Sequence, residues 1–296
     1  MAQDEQHDPR PGVVKVAVWQ FHPTPRDPDT NLARLRAVAE EARHQGAALL
    51  VTPELTLTGY DVGELDGLTR DDDVDRVAAV ARDVGIALVV GLALAAPPDH
   101  GPHHGPHHVN ASVVVDRDGT VRATHRKAHL FGDLDRSRFT PGSEPFAMTE
   151  LDGIRVATMI CYDVEFAEGV RAAALVGAQL LAVPTANMRP FEIVCEQVVP
   201  VRAWENQIAI AYANHCGREG ETHYVGRSVV VGPDGRPLAV AGPDDEQLVV
   251  ADVDLGAVAD AQRANPYLTD RRPELYEDLV TPRPPRRSTP SDTDME

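Results

Sequence analysis

Cysteine is scarce in this chain, with three residues in 296: Cys161, Cys195 and Cys216. Three widely spaced thiols build neither a disulfide framework nor a Cys-x-x-Cys metal site. Long apolar runs are missing too. None approaches the ~18–20 residues needed to span a bilayer, and the opening "MAQDEQHDPRPG" lacks the basic-then-apolar order of a signal peptide. Together these absences point to a soluble protein of a reducing cytoplasm. Positive charge is in deficit: 28 basic side chains face 46 acidic ones, a net charge of −18. Nucleic acid and anionic membrane are polyanions, so neither is expected as a partner. What is present is ordinary globular usage, 43% hydrophobic and 25% charged, enough for a sizeable core.

Residues 1–12 and 281–296 are rich in Pro, Ser and charge and offer little to bury, so both read as disordered tails. Between them, apolar β-type runs alternate with helical stretches. Strands are expected at 13–21, 47–51 and 86–94, with helices at 29–46 and 74–85. Two hairpins follow from Asp-Gly turns, at 111–126 and 228–241. A second α/β stretch lies between them, with strands at 154–160, 179–183 and 208–213 and helices at 166–176 and 191–206. A last strand spans 247–255. Near-continuous apolar strands imply sheets covered on both faces, and no linker-like break interrupts 13–280. One α/β domain is therefore expected. The biased segment 97–110 holds five of the twelve histidines. It has no carboxylate or cysteine partners at ligand spacing, so it reads as a surface loop and not as a metal site.

Three strand ends carry residues that a core does not welcome. "AALLV" runs into Thr52-Pro53-Glu54, the strand ending at Arg126 runs into Lys127, and "ATMI" runs into Cys161. A lone buried Glu or Lys is costly unless paired. The plain reading is three unrelated structural residues, Cys161 being a small core side chain. The chemical reading is one site at the carboxyl ends of the strands. A thiol needs a base or a nearby cation to become a nucleophile. Glu54 suits the base, Lys127 the charge opposite a developing oxyanion, and the Tyr162 N–H a second oxyanion donor. Strand, Cys161, then a helix from about Phe166 has the order of a nucleophile elbow, whose helix end would favour the thiolate.

The motifs are more specific than the spacing. "PELTLTGY", "HRKAHLF", "CYDVEFAEGVR", "LLAVPTAN" and "RAWENQ" together resemble the nitrilase (carbon–nitrogen hydrolase) superfamily, over residues 13–265. The resemblance implies a four-layer αββα sandwich of two mixed β-sheets, with Glu54 as base, Lys127 as oxyanion stabiliser and Cys161 as nucleophile. It implies no cofactor and no metal, and a homodimer or higher homo-oligomer paired through helices. Asp135, in "DRSRFTPG", stands where many members carry a second glutamate and is one methylene shorter. Ala167 replaces a usual proline and is read as structural.

"KAHLFGDLDRSRF" and "PTANMRPFEIVCEQVVPVRAWENQ" further resemble a branch of bacterial aliphatic amidases. The implied reaction is hydrolysis of a small primary amide, amine-bearing in some members, to carboxylic acid and ammonia. A nitrilase or an N-carbamoyl-amine amidohydrolase with the same triad stays open, as does a non-catalytic binding protein on this fold. Candidate substrate-binding residues are Tyr60, Asp135, Glu165, Asn187, Met188 and Glu192, with Asp133 a further partner for an ammonium group. Trp204 is a candidate wall of the pocket, and Cys216 could flank the site. Cys195 reads as packing, and His129 as orienting its loop rather than acting as a base; a Cys-His hydrolase built with His125, His129 or His215 is the weaker alternative.

Overall fold

The computed structural model describes residues 12–96 and 108–280. The expectations for the two tails, except at Gly12, and for all but the last three residues of the His-rich segment, lie outside the described residues. The first half contributes strands β1 (Val13–Gln20), β2 (Leu49–Val51), β3 (Ala87–Ala95), β4 (His108–Val115) and β5 (Val121–Arg126). The second contributes β6 (Ala147–Leu151), β7 (Ile154–Thr158), β8 (Leu180–Pro184) and β9 (Ala209–Ala213). A short ribbon of β10 (Arg218–Glu219) and β11 (Thr222–His223) follows, then β12 (Val229–Val231), β13 (Pro237–Val240) and β14 (Gln247–Asp254). The helices that cover the sheets are α1 (Pro28–His44), α2 (Asp73–Val84), α4 (Ala167–Leu175) and α5 (Val199–Asn206); the short α3 (Gly132–Arg136) lies between β5 and β6.

The strands form two six-stranded sheets, ordered β14-β1-β2-β3-β4-β5 and β13-β12-β9-β8-β7-β6. Both are mixed. Strands β1, β2 and β3 run parallel in one and β7, β8 and β9 in the other, with antiparallel neighbours outside them. The period of two in β1 shows how the layers are specified. Val16 and Val18 enter the core between the sheets, with Val51, Val89, Leu180 and Ala211. Ala17 and Trp19 face outward, into the core shared with Leu35, Ala39, Val77 and Ala81 of α1 and α2. The outer face of the second sheet packs on Val170 and Ala174 of α4 and on Val199 and Ala203 of α5. The result is the αββα sandwich, and both faces of the expected apolar strands are buried.

Local signals set the helix limits. Asp27 caps α1 by accepting from the Thr30 N–H at 3.0 Å, ahead of Pro28 in the first turn. Gly85 ends α2 in the left-handed conformation. The expected helix over 191–206 is regular only at its end. A π-helical stretch at Val194–Val198 precedes α5, and Pro200, which has no N–H to donate, sits in the first turn of α5. The His-rich segment also ends differently from expectation. His108, Val109 and Asn110 belong to β4, where Val109 and Asn110 pair with Leu94 and Ala93.

Gly91 on β3 fixes the route of the Glu54 segment. A Cβ there would stand 2.6 Å from the Glu54 Cα and 2.9 Å from the Leu55 nitrogen, so only a glycine lets that backbone cross the strand. Gly91→Val should lower the unfolding free energy by about 1–3 kcal/mol, read by urea denaturation. An unchanged midpoint would show that the crossing has slack.

Candidate active site

All three proposed chemical residues stand past the carboxyl ends of strands. Glu54 follows β2, Lys127 follows β5, and Cys161 follows β7 with two residues between. Glu54 donates its N–H to the Thr185 carbonyl just beyond β8, at 3.2 Å, which ties the end of one sheet to the end of the other. His215, whose pKa burial depresses, gives its Nε2 proton to the Glu54 carbonyl at 2.6 Å. Leu55 and Cys161 both adopt a positive φ, 52° and 47°, uncommon for residues other than glycine. The strained turn at Cys161 opens a 3₁₀ turn, Cys161–Glu165, and α4 begins two residues later. The elbow expected from the sequence is present.

Lys127 is one of only two lysines in the chain, which otherwise takes its positive charge from arginine. Its ammonium lies fully buried between two fully buried carboxylates, 2.7 Å from Glu54 Oε1 and 2.6 Å from Asp135 Oδ2. A compact ammonium fits this gap; a planar guanidinium fork does not have the same shape. Burial works against the charge of Lys127, but Glu54 and Asp135 outweigh it and hold the group protonated. Asp135 is fixed in turn. Its Oδ2 accepts the Phe131 N–H at 3.0 Å, and its Oδ1 accepts the Tyr60 hydroxyl at 2.9 Å. Asn110 donates to Glu54 Oε1 at 2.6 Å, while Glu54 Oε2 has no partner among the described residues. Burial pushes the Glu54 carboxyl upward, Lys127 pulls it back, and Asp135 adds to the rise. One oxygen of a carboxylate with heightened proton affinity is thereby left free.

The Cys161 thiol corrects one expectation. A helix end was expected to favour its thiolate, yet burial, followed by the nearby Glu54 carboxylate, pushes its pKa well up, against the opposing pull of Lys127. Burial and the Glu54 charge thus both work against a thiolate at Cys161.

Cys161 opens into a cavity of about 200 Å³. Of the residues expected to bind substrate, Tyr60, Glu165, Asn187 and Met188 line it, as does Tyr162, expected only for its backbone N–H. Sequence reading missed Phe131, Ala186 and Phe191, which complete the wall. Phe131 meets both Tyr162 and Phe191 edge-on, with centroids 5.3 and 5.8 Å apart. Asp135 does not face the cavity, since both its oxygens are held within the lysine cluster. Glu192 pairs with Arg189 at 3.1 Å, and Asp133 is fully exposed near Arg136. Trp204 is exposed and packs on Tyr267. Cys195 is buried, with its thiol pushed by burial to about 11, and Cys216 likewise to about 12; neither lines the cavity.

Below the elbow, Asp163 is buried and accepts four donors. Burial would raise its carboxyl, but hydrogen bonds from His125 at 3.0 Å and His129 at 2.8 Å, with the His129 N–H, hold it at about 2. The fourth donor is the Ile160 N–H at 3.2 Å.

The fold is the α/β sandwich of the nitrilase superfamily. Residues 15–263 match the carbon–nitrogen hydrolase family model, and the chain belongs to that family: it is a hydrolase of carbon–nitrogen bonds other than peptide bonds. Among curated relatives, a "hydrolase in pqqF 5'region" of Pseudomonas protegens is 42% identical over 90% of this chain and 92% of its own length. An (R)-stereoselective amidase of Pseudomonas sp. is 35% identical over 83% and 88%. Among solved structures, a double mutant of the amidase from Nesterenkonia sp. AN1 in complex with acrylamide superposes with a TM-score of 0.80. It is 38% identical and the match covers 92% of this chain and 99% of that one. Among the described residues no helix is long and apolar enough to cross a membrane.

The low value of Asp163 makes a stability prediction. The carboxyl titrates near 3.8 when unfolded and near 2 when folded, so its contribution is fully present above pH ~4 and is lost as pH falls towards 2. The difference corresponds to about 2 kcal/mol. In Asp163→Asn, urea denaturation should show that much less acid sensitivity between pH 4 and pH 2; equal slopes for both proteins would contradict the assignment.

Proposed function

We propose that the chain hydrolyses a small aliphatic primary amide to carboxylic acid and ammonia through a Cys161 thioester. The observation that carries this reading is the buried Lys127–Glu54 pair, 2.7 Å apart with one Glu54 oxygen unpartnered among the described residues, whose charges both act on the thiol of Cys161 at the cavity wall. On attack, the Cys161 sulfur bonds to the amide carbon and its proton passes to Glu54. The carbonyl oxygen becomes negative and is stabilised by Lys127 and the Tyr162 N–H. When the C–N bond breaks, Glu54 returns the proton to the departing nitrogen, and ammonia leaves. Water then attacks the thioester with Glu54 taking a proton again. Collapse breaks the C–S bond and the sulfur recovers that proton, restoring the resting state. Asp135 sets the position of Lys127 rather than touching substrate.

The cavity favours an amide that carries an amine. Of the four acidic candidates for an ammonium, only Glu165 lines it, and Tyr60, Tyr162, Phe131 and Phe191 line the same space. Burial pushes the Glu165 carboxyl up, while Lys127 and Arg202 pull it down. The amide reading is supported by the acrylamide and butyramide held by mutants of the Nesterenkonia amidase and by amidase names among the relatives, others of which are named nitrilase and N-carbamoylputrescine amidase. Exposed apolar side chains on the α4–α5 side, Leu175, Val176, Val201 and Trp204, suit self-association through helices. A thiol nucleophile and three free cysteines suit a reducing cytoplasm.

Ammonia release tests the reading, on a panel of 5-aminopentanamide, a cyclic-amine carboxamide, a neutral aliphatic amide, the matching nitrile and N-carbamoylputrescine. Amide turnover should fall by roughly 10⁴-fold or more in Cys161→Ala. Turnover confined to the nitrile or the carbamoyl compound would move the chain to another branch, and turnover that survives the substitution would end the thioester mechanism. Glu165→Gln should raise KM for the amine-bearing amide about 10-fold or more and leave the neutral amide unaffected. Equal effects on both would remove Glu165 as an ammonium partner. The acid limb of kcat/KM in the wild type should lie above pH 4.5, the ordinary glutamate value, because Glu54 must be ionised to accept the thiol proton. A limb at or below that value would contradict Glu54 as the base.

A further inference from the structure

The Asp163 carboxylate joins two segments that the chemistry needs in register. Its Oδ2 accepts from the Ile160 N–H, the residue before the nucleophile, and from His125 Nε2. Its Oδ1 accepts from both the backbone N–H and Nδ1 of His129. His125 and His129 stand two residues to either side of Lys127. One carboxylate, 1% exposed, therefore grips the strand end that carries the ammonium on both flanks and the elbow that carries the thiol from below. The outer partner is braced as well. The His129 ring stacks on Phe166 at 3.9 Å, and Phe166 meets Tyr162, next to the nucleophile, edge-on at 5.0 Å.

We propose that the His125–Asp163–His129 cluster is a positioning device that sets the distance and direction of Cys161 relative to Lys127. The three residues do not touch substrate. Asp163 is an acceptor with four donors, and both imidazoles serve as N–H donors from defined ring nitrogens, Nε2 in one and Nδ1 in the other. The inference rests on the thioester reading, in which Cys161 and Lys127 act on one carbonyl group. It adds that their register is maintained by hydrogen bonds outside the cavity and not by the strand ends alone. Displacing a reacting group by about 1 Å costs on the order of 100-fold in rate.

The donor positions supply the test. His129→Asn keeps an N–H donor near the place of Nδ1, and His125→Gln keeps one near the place of Nε2; His129→Leu and His125→Leu remove them. Each variant is assayed on the preferred amide of the panel. The rate of alkylation by iodoacetamide is measured in parallel, with the Cys161 peptide quantified by mass spectrometry so that Cys195 and Cys216 do not contribute. The leucine variants should lose about 100-fold in kcat with KM changed by less than about threefold, and alkylation should slow in step. The Asn and Gln variants should recover most of both rates, while far-ultraviolet circular dichroism shows all four to be folded. Folded leucine variants with wild-type kcat and alkylation would overturn the proposal. So would donor-retaining variants as impaired as the leucine ones. Alkylation needs no hydrolysis, so a protein inactive on every amide but showing the same order of alkylation rates would sink the amidase reading and leave the positioning device standing.

Discussion

The site depends on a buried ammonium held between two buried carboxylates. Lys127, Glu54 and Asp135 come from the ends of different elements and have no solvent contact. Removing two or three charges from water costs several kcal/mol per ion, which good geometry and further hydrogen bonds must offset. Asn110, Tyr60 and the Phe131 N–H supply those bonds. The cluster therefore constrains the fold as much as the chemistry. The strands must end where they do, Gly91 must leave room for the Glu54 backbone, and the Asp135 turn must return to Lys127. It also sets the resting state. With the ammonium paired to two carboxylates, burial and Glu54 outweigh its pull on Cys161 and push that thiol up, while Glu54 Oε2 keeps no hydrogen-bond partner among the described residues.

Much of this was legible in the sequence, for reasons that differ between residues. The sandwich follows from apolar runs too continuous for half-exposed strands, and the two hairpins from Asp-Gly turns. Glu54 and Cys161 stood out because each is an ill-suited residue at the end of an apolar run, and Lys127 because it follows directly on a hairpin strand. Their adjacency could not be read locally, because it is created by sheet order and by the link from Glu54 to Thr185. Asn110 was hidden inside a histidine-rich segment read as a loop; the β-type alternation from His108 onward was the available signal. His215 offered none, since its partner is a backbone carbonyl 161 residues away.

The cavity was the least legible part. Phe131 and Phe191 lie in irregular segments, and nothing in their spacing says which way a ring turns. Charge was a poor guide for the same reason. In a chain of net charge −18 many acidic residues compete for a role. Arg189 takes Glu192, solvent takes Asp133, and Lys127 takes Asp135. Glu165 alone remains on the cavity wall. The shorter side chain of Asp135 is accommodated by the local turn, in which the Phe131 N–H and Tyr60 close on its two oxygens.

The central claim, that the Cys161 thiol is neutral at rest and loses its proton only to Glu54 during attack, is tested most directly by the thiolate ultraviolet absorbance. It should be measured as a difference between the wild type and Cys161→Ala while pH is raised from acid through neutral. A neutral resting thiol predicts no difference signal at neutral pH, with absorbance emerging only above the ordinary cysteine range. A difference signal already present at neutral pH would mean a preformed thiolate paired with Lys127, and would contradict Glu54 as the group that takes the thiol proton.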